Sequence, residues 1–201
     1  MKYDLIIFDI DGTLCPSGRI LSEDELKIID LTHPKDFKAS NLGINMKYTY
    51  FPGVRTALEQ IAKDAKLAIA SNGPSFRQKN KLIASGIDHL FDKELVIISE
   101  DLALSYHTLD TGLNYWPNEY TKELYMKRVE KPNSSMLSHL LIRSNAPKQR
   151  AIYVGNTEED FTAAKNAGMA FVRVIDKSKK RFKTGHEIHQ NEFHKLINLL
   201  K

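Results

Sequence analysis

The chain has little cysteine and no long apolar run, and both absences narrow the classes of protein it can be. Cys15 is the single cysteine among 201 residues, so no disulfide can form within the chain and a reducing compartment is expected. No apolar run approaches the roughly 18 residues of a membrane-spanning helix. The first apolar segment begins so close to residue 1 that no signal peptide is expected before it. These absences predict a cytoplasmic protein without a membrane partner.

Positive charge is concentrated in one segment, residues 173–183, which we call the basic run. The whole chain carries a formal charge of +4 at pH 7. Within the basic run Asp176 is the single acid, and six residues are basic: Arg173, Lys177, Lys179, Lys180, Arg181 and Lys183. Such a run is either a solvated surface segment or a field that attracts an anionic partner.

Short apolar runs alternate with helical patterns along the chain. Residues 5–8 predict a fully buried strand, and further strands are predicted at 66–70, 95–98, 151–154 and 171–175. The alternation predicts one α/β domain over residues 1–201. Its sheet is expected to be Rossmann-like, five-stranded and mainly parallel, with helices on both faces. Two segments without a place in this pattern, about 19–50 and 102–129, are predicted to be inserts.

Two acids, a glycine and a threonine follow the first predicted strand directly. Asp9 and Asp11 are two residues apart on an extended segment, so both carboxylates point to the same side. Two negative charges this close repel each other and favour a bound cation, and oxygen ligands suit Mg²⁺. Gly12 allows the backbone to bend and to present amide groups to an anion. The stretch therefore predicts a site for a divalent metal and a phosphate-like group.

Two other interpretations of this stretch are weaker. An acidic turn after a core strand would need no ligand at all. A calcium-binding EF-hand loop would need a glycine at residue 14, where the chain has Leu14, and a helix before the loop.

The segment from Asp9 to Thr13 resembles the first motif of the haloacid dehalogenase-like (HAD) superfamily of phosphohydrolases. The other three motifs of that family have counterparts in the same order, at Ser71-Asn72-Gly73, at Lys131-Pro132 and at residues 155–160. The resemblance covers the core between residues 2 and 175, and both inserts and the tail fall outside it. It implies that the motifs meet at the carboxyl ends of parallel strands and that the two inserts form a small cap.

The resemblance implies a magnesium-dependent phosphatase that forms an aspartyl-phosphate. Asp9 would be the nucleophile, and Asp11 would protonate the leaving group and then deprotonate water. Phosphate oxygens would be bound by Ser71 and Lys131, with help from main-chain amides of Ile10, Asp11 and Asn72. The metal ligands would be Asp9, the main-chain carbonyl of Asp11 and Asn156, with Asp160 in support.

Each of these residues also has an ordinary structural interpretation. Ser71 and Asn72 are common in turns, and Lys131 could be a solvated lysine at the start of a helix. Asp160 could be a first-turn acid that favours the helix dipole. Asn156 departs from the family pattern, in which an aspartate follows the glycine. The dehalogenase branch also has asparagine nearby but lacks the second aspartate of the first motif, so Asp11 favours phosphate chemistry.

The expected partner is a phosphorylated small molecule. The basic run and the aromatic residues around Trp116 suggest an alternative, a phosphatase for nucleotides or nucleic-acid ends. A third hypothesis is a non-catalytic binding or regulatory protein on a phosphatase scaffold, which the neutral Asn156 suggests and the pair of Asp9 and Asp11 opposes.

Overall fold

A computed structural model describes residues 1–16, 50–175 and 186–201. Within these ranges the strands are β1 (Leu5–Phe8), β2 (Lys66–Ser71), β3 (Val96–Ile98), β4 (Ala151–Gly155), β5 (Ala170–Ile175) and β6 (Glu187–His189). The α-helices are α1 (Val54–Ile61), α2 (Ser75–Ser85), α3 (Ser99–Thr111), α4 (Glu119–Met126), α5 (Ser135–Ser144), α6 (Glu158–Ala167) and α7 (Lys195–Leu200). The first predicted insert lies almost wholly outside the described residues, and so does most of the basic run.

The strands form one parallel sheet in the order β3-β2-β1-β4-β5-β6. Chain order runs outward from β1 in both directions, so the crossovers change direction between β1 and β4. In open α/β sheets, ligands bind at such a point, beyond the carboxyl ends of the strands. The topology therefore places the segments that follow β1 and β4 side by side at the position where a ligand site is expected.

The central strand β1 faces a different hydrophobic core on each side of the sheet. Ile6 and Phe8 belong to one core cluster, whereas Leu5 and Ile7 belong to the other. This is the alternation that a strand dictates, and it explains why all four positions must be apolar. Helices α1 and α7 supply side chains to the first cluster, and α3, α5 and α6 to the second. The α/β class with a parallel sheet and helices on both faces is thus confirmed.

The number of strands was wrong, because the sheet has six strands in the described residues and not five. Residues 187–189 form β6, which pairs with the end of β5 through Arg173↔Glu187, Val174↔Ile188 and Ile175↔His189. Only Ile188 of β6 is apolar and fully buried. A three-residue edge strand with one buried side chain gives no apolar run, so the pattern that revealed the other strands was missing.

The segment predicted as a second insert contributes to the helix layer that covers the sheet. It contains most of α3 and all of α4, and Leu102, Ala103, Tyr125 and Val129 are buried in the second core cluster. Helix α3 begins directly after β3, where a crossover helix is expected in a parallel sheet. No helix in the described part of the chain is long and apolar enough to cross a membrane.

Candidate active site

The polar residues that follow β1, β2 and β4 lie around one cavity of about 460 Å³. It opens at the carboxyl end of the sheet, where the strand order changes direction. The cavity is lined by the predicted site residues Asp9, Asp11, Ser71, Asn72, Lys131, Asn156 and Asp160, and also by Thr157 and Glu159. The remaining predicted residue, Ile10, has its side chain buried in the first core cluster. Residues separated by as many as 151 positions in sequence therefore share one site.

Asp9 is buried and is bound through one of its two carboxylate oxygens. Ser71 Oγ donates a hydrogen bond to Asp9 Oδ1 at 2.9 Å, and Lys131 Nζ donates to the same oxygen at 2.8 Å. Among the described residues no donor contacts Oδ2, which leaves that oxygen free for a ligand. Burial, with a smaller contribution from the Asp160 carboxylate, raises the pKa of Asp9 to about 6 against the lowering effect of the Lys131 cation.

Lys131 connects Asp9 to a second buried carboxylate. Its Nζ lies 2.6 Å from Asp160 Oδ1 and 3.0 Å from the Tyr153 hydroxyl. Burial alone would lower the pKa of Lys131, but the negative charges of Asp160 and Asp9 outweigh burial and raise it above its ordinary value. The main chain of Lys131 is fixed as well, because Asn72 Oδ1 accepts from Lys131 N and Asn72 Nδ2 donates to Lys131 O. The lysine is therefore a permanent cation in a set position.

Asp160 organises the segment that follows β4. Its Oδ2 accepts hydrogen bonds from the amides of Asn156 and Thr157 at 3.0 Å and from Thr157 Oγ1 at 2.9 Å. Thr157 and Asp160 form a capping box at the start of α6. Burial would raise the pKa of Asp160, but the Lys131 cation lowers it below its ordinary value. Asp160 is thus both the first-turn acid of a helix and the counter-ion of Lys131.

Asp11 has a different set of partners, and sequence analysis missed both of them. Lys81 Nζ donates to both carboxylate oxygens of Asp11 at 2.6 Å. Gln78 Nε2 donates to Asp11 Oδ2 at 2.9 Å. Both partners lie on α2, three residues apart, so the helix presents them on one face. One signal for these partners is present in the sequence: Lys81 precedes Leu82 on the helix face that the apolar pattern assigns to the core.

The turn after Asp11 fits closely against Asn156. Gly12 has a φ of 78°, and a Cβ atom added there would lie 2.2 Å from Asn156 Nδ2. A side chain at residue 12 would therefore strain the backbone and displace Asn156. Thr13 Oγ1 donates to Asn156 Oδ1 at 3.2 Å, and Gln190 Nε2 donates to the Gly12 carbonyl at 3.0 Å.

The oxygen atoms around the cavity are suited to a hard cation. Asp9 has a carboxylate oxygen that no donor contacts among the described residues, Asp11 has a main-chain carbonyl, and Asn156 has a side-chain carbonyl. Magnesium commonly takes only one or two carboxylates from the protein and completes its coordination with water and substrate phosphate. The described residues contain no cluster of three or more histidine, cysteine or acidic side chains arranged to hold a metal. This donor set fits Mg²⁺ and does not fit zinc.

Comparison with known proteins gives a consistent result. A family model described as haloacid dehalogenase-like hydrolase matches residues 18–168. A glyceraldehyde 3-phosphate phosphatase from Methanopyrus kandleri is 25% identical over 84% of this chain and 82% of its own length. A second protein of that name, from Methanothermobacter thermautotrophicus, is 29% identical over 62% of this chain, but the match spans only 44% of its own length.

One solved structure extends the comparison to the fold. The HAD hydrolase YfnB from Bacillus subtilis, determined with bound magnesium, superposes with a TM-score of 0.64 over 100% of this chain and 99% of its own. Its sequence identity is 15%, so this likeness concerns the arrangement of the chain alone.

Proposed function

Since this chain belongs to the haloacid dehalogenase-like hydrolases, we propose that it is a phosphatase that cleaves a phosphomonoester through a phosphoryl group carried on Asp9. The observation that carries the proposal is the state of Asp9. It lies at the carboxyl end of the central strand, and its Oδ1 is bound by Ser71 and Lys131. Its Oδ2 has no donor among the described residues. A carboxylate fixed at one oxygen and free at the other is oriented for attack.

In the first step, Asp9 Oδ2 attacks phosphorus and the bond between phosphorus and the ester oxygen breaks. Asp11 in its protonated form gives its proton to the departing oxygen. In the second step, water attacks the same phosphorus while the Asp11 carboxylate accepts a proton from it. The bond between phosphorus and Asp9 then breaks, which restores both carboxyl groups and releases inorganic phosphate.

Ser71 and Lys131 are placed to offset the negative charge of the phosphoryl oxygens during transfer. Phosphoryl transfer requires positioning and electrostatic stabilisation more than covalent help from the protein. Lys131 is held cationic by Asp9 and Asp160, and it lies at the cavity wall beside the attacking carboxylate. As Asp9 gives up its negative charge to the new bond, the donors of Ser71 and Lys131 beside it become available to the phosphoryl oxygens.

We assign Mg²⁺ as the cofactor, to be held by Asp9, the main-chain carbonyl of Asp11 and the side chain of Asn156. When bound, this ion would supply positive charge that reduces the repulsion between the phosphate and the nucleophile, which are both anions. The magnesium bound to the Bacillus subtilis hydrolase supports the assignment for a chain of this fold. Asp160 acts on the ion indirectly, because its oxygens are occupied by Lys131, Tyr153 and the amides of residues 156 and 157.

The substrate is proposed to be a small phosphorylated metabolite. Two curated relatives are named for glyceraldehyde 3-phosphate, which makes triose phosphates the first esters to test. A cavity of about 460 Å³ has room for a phosphate group and a short carbon chain.

A screen of phosphate esters with purified protein and Mg²⁺, measured by release of inorganic phosphate, tests the proposal. We expect release from at least one small alkyl ester, its loss when a chelator removes the metal, and no release by Asp9→Asn. Equal release by wild type and Asp9→Asn would remove Asp9 as the nucleophile. No release from any ester would overturn the phosphatase itself.

A further inference from the structure

Helix α2 places two buried polar side chains against Asp11. Lys81 and Gln78 are each only 3% exposed, although both lie on a helix at the surface of the sheet. Lys81 Nζ contacts both oxygens of the Asp11 carboxylate at 2.6 Å, and Gln78 Nε2 contacts Oδ2 at 2.9 Å. One helix therefore holds the carboxylate at both of its oxygens.

Stability alone gives no reason for this arrangement. Lysine is among the residues least often buried, and removing its charge from water is costly. The attraction within a buried ion pair often offsets this cost only in part. Proteins in which apolar residues replace such a pair are often equally stable or more stable. Two residues further along α2, Ile83 is 51% exposed, so the helix buries a charge while it leaves an apolar side chain in water. A functional reason for Lys81 is therefore the better explanation.

Gln78 connects this pair to the rest of the site. Its Nε2 donates to the main-chain carbonyl of Asn72 as well as to Asp11. The Asn72 side chain in turn holds the main chain of Lys131 at both its amide and its carbonyl. Hydrogen bonds through Gln78 and Asn72 thus connect the Asp11 carboxyl group to Lys131, the lysine that contacts Asp9.

We propose that Lys81 and Gln78 are positioning residues that orient the Asp11 carboxyl group toward the ester oxygen, an inference that rests on the proposed phosphatase function. A group that transfers a proton must lie within hydrogen-bonding distance of the atom that receives it. The Asp11 side chain is 29% accessible, so burial alone does not hold it in place. The two donors from α2 supply the missing constraint. Lys81 also offsets the repulsion between Asp11 and the anions beside it.

The inference predicts a loss that depends on the leaving group. An alkoxide needs a proton as it departs, whereas para-nitrophenolate departs readily without one. The ratio kcat/KM reports only steps up to the first irreversible one, so it isolates transfer to Asp9 from the later attack by water. We expect a lower kcat/KM for the fastest alkyl ester of the screen in both variants, Lys81→Met and Gln78→Leu. For Lys81→Met the decrease should be about 10- to 100-fold. For para-nitrophenyl phosphate the same ratio should change about twofold or less.

Lys79→Met is the matched control, because Lys79 lies on the same helix and also forms an ion pair, but with Asp101 at 2.7 Å and not with Asp11. It should leave both esters unaffected. In an Asp11→Asn background, adding Lys81→Met should cause no further loss for the alkyl ester, since residues that act through one group are not additive.

Equal losses for the two esters, or a further loss in the double variant, would overturn the positioning role. If Lys81→Met does not fold, Gln78→Leu, which removes no charge, decides the same comparison of esters. If the wild-type protein hydrolyses neither ester, the proposed function itself is overturned. Failure of the positioning role is therefore distinguishable from failure of the proposed function.

Discussion

Asp9 and Asp11 are the same kind of residue, two positions apart, and each contacts a buried lysine, yet their surroundings differ. The Asp9 side chain is 6% exposed and shares Lys131 with Asp160, whereas the Asp11 side chain is 29% exposed and has Lys81 at both oxygens. Asp9 keeps one oxygen free of donors from the described residues. Asp11 is bound at both. The difference teaches that the proposed nucleophile keeps one oxygen open to a ligand. The proposed general acid, in contrast, is held by donors from α2.

The substitution Asp9→Asn is the strongest test of this contrast. An amide has a similar shape but is a poor nucleophile, so turnover of every phosphate ester should fall by about 10⁴-fold or more. Asp11→Asn should spare para-nitrophenyl phosphate in kcat/KM and lose alkyl esters. Steady-state phosphate release by the two purified variants gives the comparison. Identical ester dependence in both variants would contradict the division of roles.

Removal of the shared lysine tests the charge balance around Asp9. Lys131→Met leaves Asp9 and Asp160 buried without their cation, which should lower the free energy of unfolding by about 3–5 kcal/mol. Lys127→Met, at an exposed lysine four residues earlier, is the control and should change it by less than about 0.5 kcal/mol. Urea denaturation of the three proteins measures both values. A loss at Lys131 no larger than that of the control would mean that the two carboxylates do not depend on it.

The raised pKa of Asp9 makes the stability of the metal-free protein depend on pH. The folded state holds the proton more tightly than the unfolded state does, so this group contributes stability below about pH 4 that is lost as the pH rises to about 6. A shift of about two pKa units corresponds to about 3 kcal/mol. Asp9→Asn lacks this dependence. With a chelator present, the stability of the variant relative to wild type should therefore increase between these pH values and stay constant above them.

A flat difference between the two proteins across this range would show that Asp9 ionises in the folded state as easily as in water. Such a result would contradict the burial and Asp160 repulsion that distinguish Asp9 from a solvated carboxylate.

The smallest effect is expected for a substitution of Asn156, because it should change the affinity for Mg²⁺ and not the contacts of Asp9 or Asp11. Asn156→Asp adds one negative charge near the proposed ion, and hydration of the ion offsets much of the gain, so Mg²⁺ should bind several-fold more tightly. Calorimetric titration of wild type and variant with Mg²⁺ measures the difference. Equal affinities would mean that residue 156 does not contact the metal.

Sequence reasoning predicted most of the sheet because buried parallel strands give continuous apolar runs, as residues 5–8 and 151–154 do. It missed β6, where only Ile188 is buried, and it took α3 for part of an insert because that helix has no clear apolar stripe. Among the residues that line the cavity, Asp9 and Asp11 were predicted from their own spacing. The other candidates, Ser71, Asn72, Lys131, Asn156 and Asp160, were predicted from the resemblance to the family motifs.

The partners of these candidates could not be named from the sequence. Lys81, Gln78 and Tyr153 contact Asp11 or Lys131 across sequence separations of 22 to 70 residues. Such pairs depend on how α2 and β4 are placed in three dimensions, and no local spacing encodes that placement. The proposed roles of the site residues remain predictions, and the variants above are their test.

The close fit between Gly12 and Asn156 also limits how this site can evolve. No side chain can be added at residue 12 without displacing Asn156, whose nitrogen would lie 2.2 Å from the new Cβ atom. Aspartate, however, has the shape of asparagine, so residue 156 can exchange an amide for a carboxylate without moving the turn. The shape of this corner is therefore fixed by the backbone while its charge is adjustable by a single substitution. If Asn156 holds the proposed Mg²⁺, a single substitution at residue 156 would change the affinity for the cation without moving the turn.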